Sequence, residues 1–183
     1  MKLALDTCVI YPPVLRSILL GAARAGLYQP LWSERILEEW ARASVKTGSE
    51  AEVRAEAGAM RAVFPAAMVG ARPGLESRLH LPDENDIHVL ATAIAGGADA
   101  ILTFNAQDFP RHVLASEGLE RRDPDGFLWE LWSKHPQAME TILTRVQEDA
   151  SRLAGAPVSL RSLLKRLRLN RLAKAVTDNR RDH

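Results

Sequence analysis

Short apolar runs alternate with helical periodicity along the first two thirds of the chain, and this alternation limits the fold more than any other feature. Lys2-Leu3-Ala4-Leu5 is an apolar run that stops at Asp6. Leu27 to Trp32 is a second, Leu75 to Leu81 a third, and Ala100-Ile101-Leu102-Thr103-Phe104 a fourth that stops at Asn105. Runs of this length bounded by polar or turn residues read as buried strands. Between the first two, Pro12 and Pro13 open a helix whose apolar positions Val14, Leu15, Ile18, Leu19 and Ala22 keep helical spacing, and Gly26 closes it. Ser33 is placed to cap a helix carrying Ile36, Leu37 and Trp40 on one side. Ser49-Glu50-Ala51-Glu52 has the capping-box pattern for an Ala-rich helix reaching Phe64 and ended by Pro65. Asp83-Glu84-Asn85-Asp86 leads into a last helix with Ile87, Leu90, Ala91, Ile94 and Ala98 at helical spacing and a stop at Gly96-Gly97. Strand and helix in alternation predict an α/β domain, three-layered, with a mainly parallel central sheet.

From about Asp123 the pattern changes. Pro124, Pro136 and Ser159 each introduce a helical segment and no strand pattern follows. This places a boundary near residue 120, with an α/β domain over 1–120 and a small α-helical appendage over 121–183. The chain has 46% hydrophobic residues, ample for a real core. No apolar run approaches the roughly 20 residues that span a bilayer. The N-terminus enters a strand pattern without a signal-peptide region, so a cytoplasmic location with no membrane association is expected. The lone Cys8 excludes an internal disulfide and reads as a small buried hydrophobe.

Acids mark the points where strands end and helices begin. Asp6 closes the first strand, Asn105 closes the last, and Asp108 follows within one turn. In open α/β sheets, ligands bind beyond the carboxyl ends of the strands. Glu38 and Glu39 interrupt an apolar face between Leu37 and Trp40. Asp83, Glu84 and Asp86 crowd one helix start, where acids are also favoured simply by the partial positive charge of free N–H groups. Unrelated surface charges explain these positions as well as a cluster does on spacing alone. If clustered, carboxylates in a low-dielectric crevice repel one another and cannot all remain ionised unpaired. A hard divalent cation resolves the repulsion, and oxygen-only ligands select magnesium or manganese. Such a centre can activate water for attack on a phosphodiester.

Four motifs taken together resemble a PIN domain, and most of all the VapC-type toxin ribonucleases of bacterial toxin–antitoxin pairs. They are Asp6-Thr7-Cys8-Val9, the segment Ile36 to Trp40, Asp83 to Asp86 followed by Leu90-Ala91-Thr92-Ala93, and the segment Ile101 to Pro110. The likeness covers residues 1 to 120. It implies a Mg2+- or Mn2+-dependent endoribonuclease, with RNA as substrate, a cognate antitoxin protein as partner and association as a homodimer. It implies a metal set of Asp6, Asp86 and Asp108, with Glu39 completing the catalytic acids and Glu38 turned to solvent. Thr7 would hold the Asp6 carboxylate or a bound water, and Thr103 and Asn105 would support the site. Asp83 and Glu84 would serve the helix start or the rim, and His88 would be a packed or surface histidine. Many relatives carry aspartate where Asn105 stands, so either Asn105 or Asp108 completes the cluster, and one or two metals are open.

The C-terminal helices resemble an extension found on longer toxins of this type. Residues 161–183 hold eight Lys/Arg against two Asp, whereas residues 1–160 hold 16 basic and 21 acidic residues. The basic residues interleave with an apolar stripe of Leu160, Leu163, Leu164, Leu167 and Leu172. A solvated helix face and an RNA or partner contact both fit this pattern. Two other readings compete. A phosphatase that opens on a strand ending in aspartate wants a second aspartate two residues on, where this chain has Cys8. A catalytically weakened PIN domain would act as an RNA- or antitoxin-binding module.

Overall fold

The computed structural model describes residues 1–45 and 50–179. In chain order the elements begin with β1 (Lys2–Leu5), α1 (Thr7–Ile10), α2 (Pro13–Arg24), β2 (Gln29–Leu31), α3 (Glu34–Ser44) and α4 (Glu50–Val63). They continue with α5 (Ile87–Gly96), β3 (Ala100–Leu102), α6 (Arg111–Ser116), β4 (Glu120–Arg122), α7 (Pro124–Lys134), α8 (Pro136–Ala154), α9 (Leu160–Arg166) and α10 (Asn170–Asn179). Among the described residues no helix is long and apolar enough to cross a membrane.

The chain divides into two compact units. The first joins Met1–Tyr11 to Tyr28–Arg122, and the second joins Pro12–Leu27 to Asp123–His183. The helix opened by Pro12 and Pro13 therefore groups with the C-terminal helices, an assignment with no local sequence signal.

The first unit is the expected α/β fold, a four-stranded sheet in the order β2-β1-β3-β4 with every pairing parallel. Leu3, Ala4, Leu5, Ile101 and Leu102 are essentially inaccessible, as strands covered on both faces require. The α5 helix is buried nearly all round, from His88 to Ala93, and Gly97 ends it at φ 62, a backbone state glycine adopts without strain. The α3 helix buries Ile36, Leu37, Trp40, Ala41 and Ser44 as one stripe, and Ser33 caps it by accepting from the Ile36 N–H. Each such large apolar side chain contributes about 1.5–3 kcal/mol on burial.

Two local expectations change. Leu75 to Leu81 forms no strand: a 3-10 turn occupies Glu76–Arg78, and Leu79 and Leu81 are buried on either side of exposed His80. The alternating pattern is real, but it seats two leucines under a loop rather than joining a sheet edge. Glu120–Arg122 pairs with β3 as a fourth strand that its charged residues concealed. As an edge strand it can keep polar side chains exposed. The capping box read at Ser49 begins outside the described residues, although the helix after it is present.

The second unit is helical. The α2 and α8 helices pack so closely that a Cβ on Gly21 would lie 2.9 Å from Ile142 Cγ2. Leu160, Leu163, Leu164, Leu169 and Leu172 are buried as α9 and α10 pack together and α10 packs on α7. The leucine stripe is therefore core; Leu167 is only partly covered.

Candidate active site

Sheet register brings the first acid to its partner. Leu5 pairs with Leu102, and the Asp6 N–H donates to the Leu102 carbonyl at 3.2 Å, so Asp6 and Thr103 leave the sheet side by side. Thr103 Oγ1 donates to Asp6 Oδ2 at 2.6 Å, and Cys8 Sγ donates to the same oxygen at 2.9 Å. Thr103 Oγ1 accepts from the Asn105 N–H at 2.9 Å, which leaves its own proton for Asp6. Burial, and then the Asp6 charge, push the Cys8 thiol up to about 12, so it remains a protonated donor. Among the described residues no hydrogen bond reaches Asp6 Oδ1.

Two expectations shift here. Cys8 is a hydrogen-bonding neighbour of Asp6 rather than only a small hydrophobe. Thr7 does not hold Asp6: it opens α1, and its Oγ1 donates to Glu39 Oε2 at 2.6 Å. His88 Nε2 lies 3.2 Å from that same Glu39 oxygen. His88 is only 3% exposed, so it is a buried partner of the glutamate. The hydrogen bond from His88 is the main cause that holds the Glu39 carboxyl below the usual carboxylate range, with Thr7 adding to it against the cost of burial. Glu38, one residue earlier, points the other way. Arg54 grips both its oxygens at 2.8 and 3.0 Å, Arg42 adds a third contact at 3.3 Å, and the Arg54 hydrogen bonds above all hold its carboxyl down to about 2.

The stretch that starts α5 supplies the rest. Asp83 Oδ1 accepts from the Asn85 N–H and from Asn85 Nδ2, both at 2.9 Å, closing a 3-10 turn over Glu84–Asp86. Asp86 ends that turn and sits at the N-cap of α5. One carboxylate oxygen each from Asp83, Asp86 and Asp108 lie within 4.8 Å of one another. Asn105 donates from Nδ2 to Asp108 Oδ2, so it presents its amide nitrogen to the cluster and ties Asp108 in place. Asp6 and Glu39 stand outside this trio yet act on it by charge. Burial first, then Asp6, Asp83, Asp108 and Glu39, push the Asp86 carboxyl up to about 7.

Sequence reasoning missed two participants. Asp83 caps its turn as expected, but it also faces Asp86 and Asp108. His88, expected as a packed or surface histidine, is packed, but against Glu39; a histidine inside an otherwise apolar helical face was the available signal. The geometry explains both: a 3-10 turn before α5 folds position 83 back toward 86, and position 88 lies on the side of α5 that meets α3.

The donor set fits a hard dication. It is all oxygen, from Asp83 and Asp86 at the α5 start and Asp108 in the β3–α6 loop, and burial together with repulsion from these acids, Asp6 and Glu39 raises the Asp86 carboxyl. The sequence model of a family described as PIN domain matches residues 2–107, which is more than half of the chain and contains every one of these acids except Asp108. No curated protein and no solved structure matches the chain. With a parallel sheet, acids beyond the carboxyl ends of its strands and a family match that covers all of them but Asp108, this chain belongs to the PIN-domain family.

Proposed function

We propose that the chain is a metal-dependent endoribonuclease and the toxin of a toxin–antitoxin pair, acting in the cytoplasm as a homodimer and neutralised by a small cognate antitoxin. The observation that carries the nuclease reading is the convergence of Asp83, Asp86 and Asp108, one carboxylate oxygen of each within 4.8 Å of the others, where burial and then the charges of Asp6, Asp83, Asp108 and Glu39 raise the Asp86 carboxyl to about 7. Asp86 and Asp108 would hold a Mg2+ or Mn2+ ion, with Asp6 as the third acid and Asp83 joining the set. Such an ion supplies Lewis-acid stabilisation of a phosphodiester and lowers the pKa of water. The chain's own side chains prepare for it. Thr103 and Cys8 fix Asp6 through Oδ2, Thr7 and His88 fix Glu39 through Oε2, and Asn105 holds Asp108. Asp6, Glu39 and Asp108 are thereby oriented before any ligand arrives, the arrangement that partners of metal-binding groups typically provide. Glu39, kept ionised, orients the attacking water.

The test is cleavage of RNA by the purified chain in Mg2+, in Mn2+ and with the metals chelated, alongside Asp6→Asn and Asp86→Asn. Metal-dependent cleavage lost in both variants supports the nuclease. Asn105, neutral where a sixth acid would strengthen the field, favours one alternative: an RNA- or antitoxin-binding module. Tight RNA binding with no cleavage in any metal selects that reading. Growth arrest on expression, relieved by a neighbouring gene product, tests the toxin role.

A further inference from the structure

We propose that the exposed face of α9 and α10 is an RNA-backbone binding surface, a second contact for the substrate beyond the acid cluster. It rests on the nuclease reading for the choice of RNA.

Leu160 to Thr177 contains six cations and no acid: Arg161, Lys165, Arg166, Arg168, Arg171 and Lys174. All six are exposed, while Leu160, Leu163, Leu164, Leu169, Leu172, Ala173 and Val176 between them are buried. From Leu160 to Thr177 the two helices thus spend most of their apolar residues on their own core and present six positive charges outward. Several exposed arginines elsewhere are answered by acids, Arg54 by Glu38 and Glu50, Arg61 by Glu34, Arg78 by Glu117 and Arg152 by Asp149, while Arg24, Arg72, Arg111 and Arg145 stand singly rather than as a cluster along one pair of helices. Among the described residues none of the six makes an ion pair. On the α7 side Asp125 accepts the Arg171 and Leu172 N–H groups at 2.8 and 3.0 Å and so caps α10. An uncompensated cationic face carries self-repulsion that a polyanion relieves by releasing its condensed counterions.

One aromatic group tells the polyanion's class. Trp129 on α7 is 38% exposed, and the Arg171 guanidinium lies 4.4 Å from its ring centroid. A planar guanidinium stacked on an exposed indole at the edge of a basic face offers flat surfaces to unpaired bases, a feature that an acidic protein segment does not need. Single-stranded RNA, running its phosphates along α9 and α10 and resting a base near Trp129, uses both.

The test uses the full chain carrying Asp86→Asn, so that binding is read without cleavage. Affinity for a single-stranded RNA is measured against salt concentration, with and without Arg161→Gln, Lys165→Gln, Arg166→Gln and Lys174→Gln together. Arg168 is left alone because its backbone φ of 61 makes the position sensitive to any change. At about 0.7 of slope per phosphate contact, four lost contacts flatten the log–log salt dependence by about 3, and affinity at moderate salt falls about tenfold or more. Trp129→Ala lowers affinity further without changing the slope, and thermal melts confirm that the variants fold. An unchanged slope and affinity in the quadruple variant overturns the proposal, as does an acidic peptide of equal charge that competes as well as RNA. The same four substitutions in the chain with Asp86 intact separate the two readings. Loss of cleavage on long RNA with cleavage of a short oligonucleotide retained supports the surface. Salt-sensitive binding with no cleavage of either substrate leaves the surface standing and removes the nuclease.

Discussion

Thr103 donates its hydroxyl proton to Asp6 across 97 residues of sequence, over 2.6 Å. The bond exists because β1 and β3 are parallel neighbours in one register, and it selects which Asp6 oxygen is occupied. Thr103→Val keeps the shape and removes only the donor. We expect metal affinity and RNA cleavage to fall about 10- to 100-fold, the usual cost of losing a partner that orients a ligand, while Thr103→Ser retains most of both. Titration calorimetry with Mn2+ on the two variants checks it, and equal affinity in Val and Ser variants would show that Asp6 does not need the bond.

The raised Asp86 carboxyl makes stability depend on pH in a set direction. Its proton is held up to about 7 in the folded chain, against the ordinary 3.8 once unfolded. Between those values the folded state binds more protons, so stability falls as pH rises through the window and levels off above about 7. Asp86→Asn removes that loss. Because the side chain is half-exposed and screened by solvent, the gain is about 1 kcal/mol at pH 8, with little difference near pH 4. Mg2+ or Mn2+ should narrow the gap by stabilising the native chain at pH 8 and not its Asn variant. Melting temperatures at three pH values, with and without metal, decide this. An Asp86→Asn protein less stable than its parent at pH 8 would falsify the crowded-acid account.

Adjacent glutamates on α3 should behave as opposites. Glu38 faces outward between Arg54 and Arg42, so Glu38→Gln leaves cleavage within about twofold, since exposed ion pairs contribute little. Glu39 is held by Thr7 and His88, so Glu39→Gln lowers cleavage about 100-fold or more. His88→Leu takes part of that loss and His88→Gln, which keeps a donor near the former Nε2, recovers some of it. Single-turnover rates on one RNA substrate give the comparison, and a large Glu38 effect would reverse the assignment.

The α/β class was legible because apolar runs and helical spacing are local properties, printed in contiguous residues whichever way the chain folds. Asp6, Asp86 and Asp108 stood out for the same reason, each sitting at a strand end, a helix start or the loop after a strand. The last strand was not legible, since Glu120-Arg121-Arg122 is strand only because β3 offers it an open edge. Nor were the pairings within the site. That Thr7 serves Glu39 and not its neighbour Asp6, that Cys8 and Thr103 share one oxygen, that His88 reaches Glu39 and that Asp83 turns back toward Asp108 all depend on sheet register and on how α3 meets α5. Local signals say which residues are acids at chain boundaries. Hydrogen bonds between residues tens of positions apart need packed elements to bring their atoms within about 3 Å, and that distance is set by tertiary structure alone.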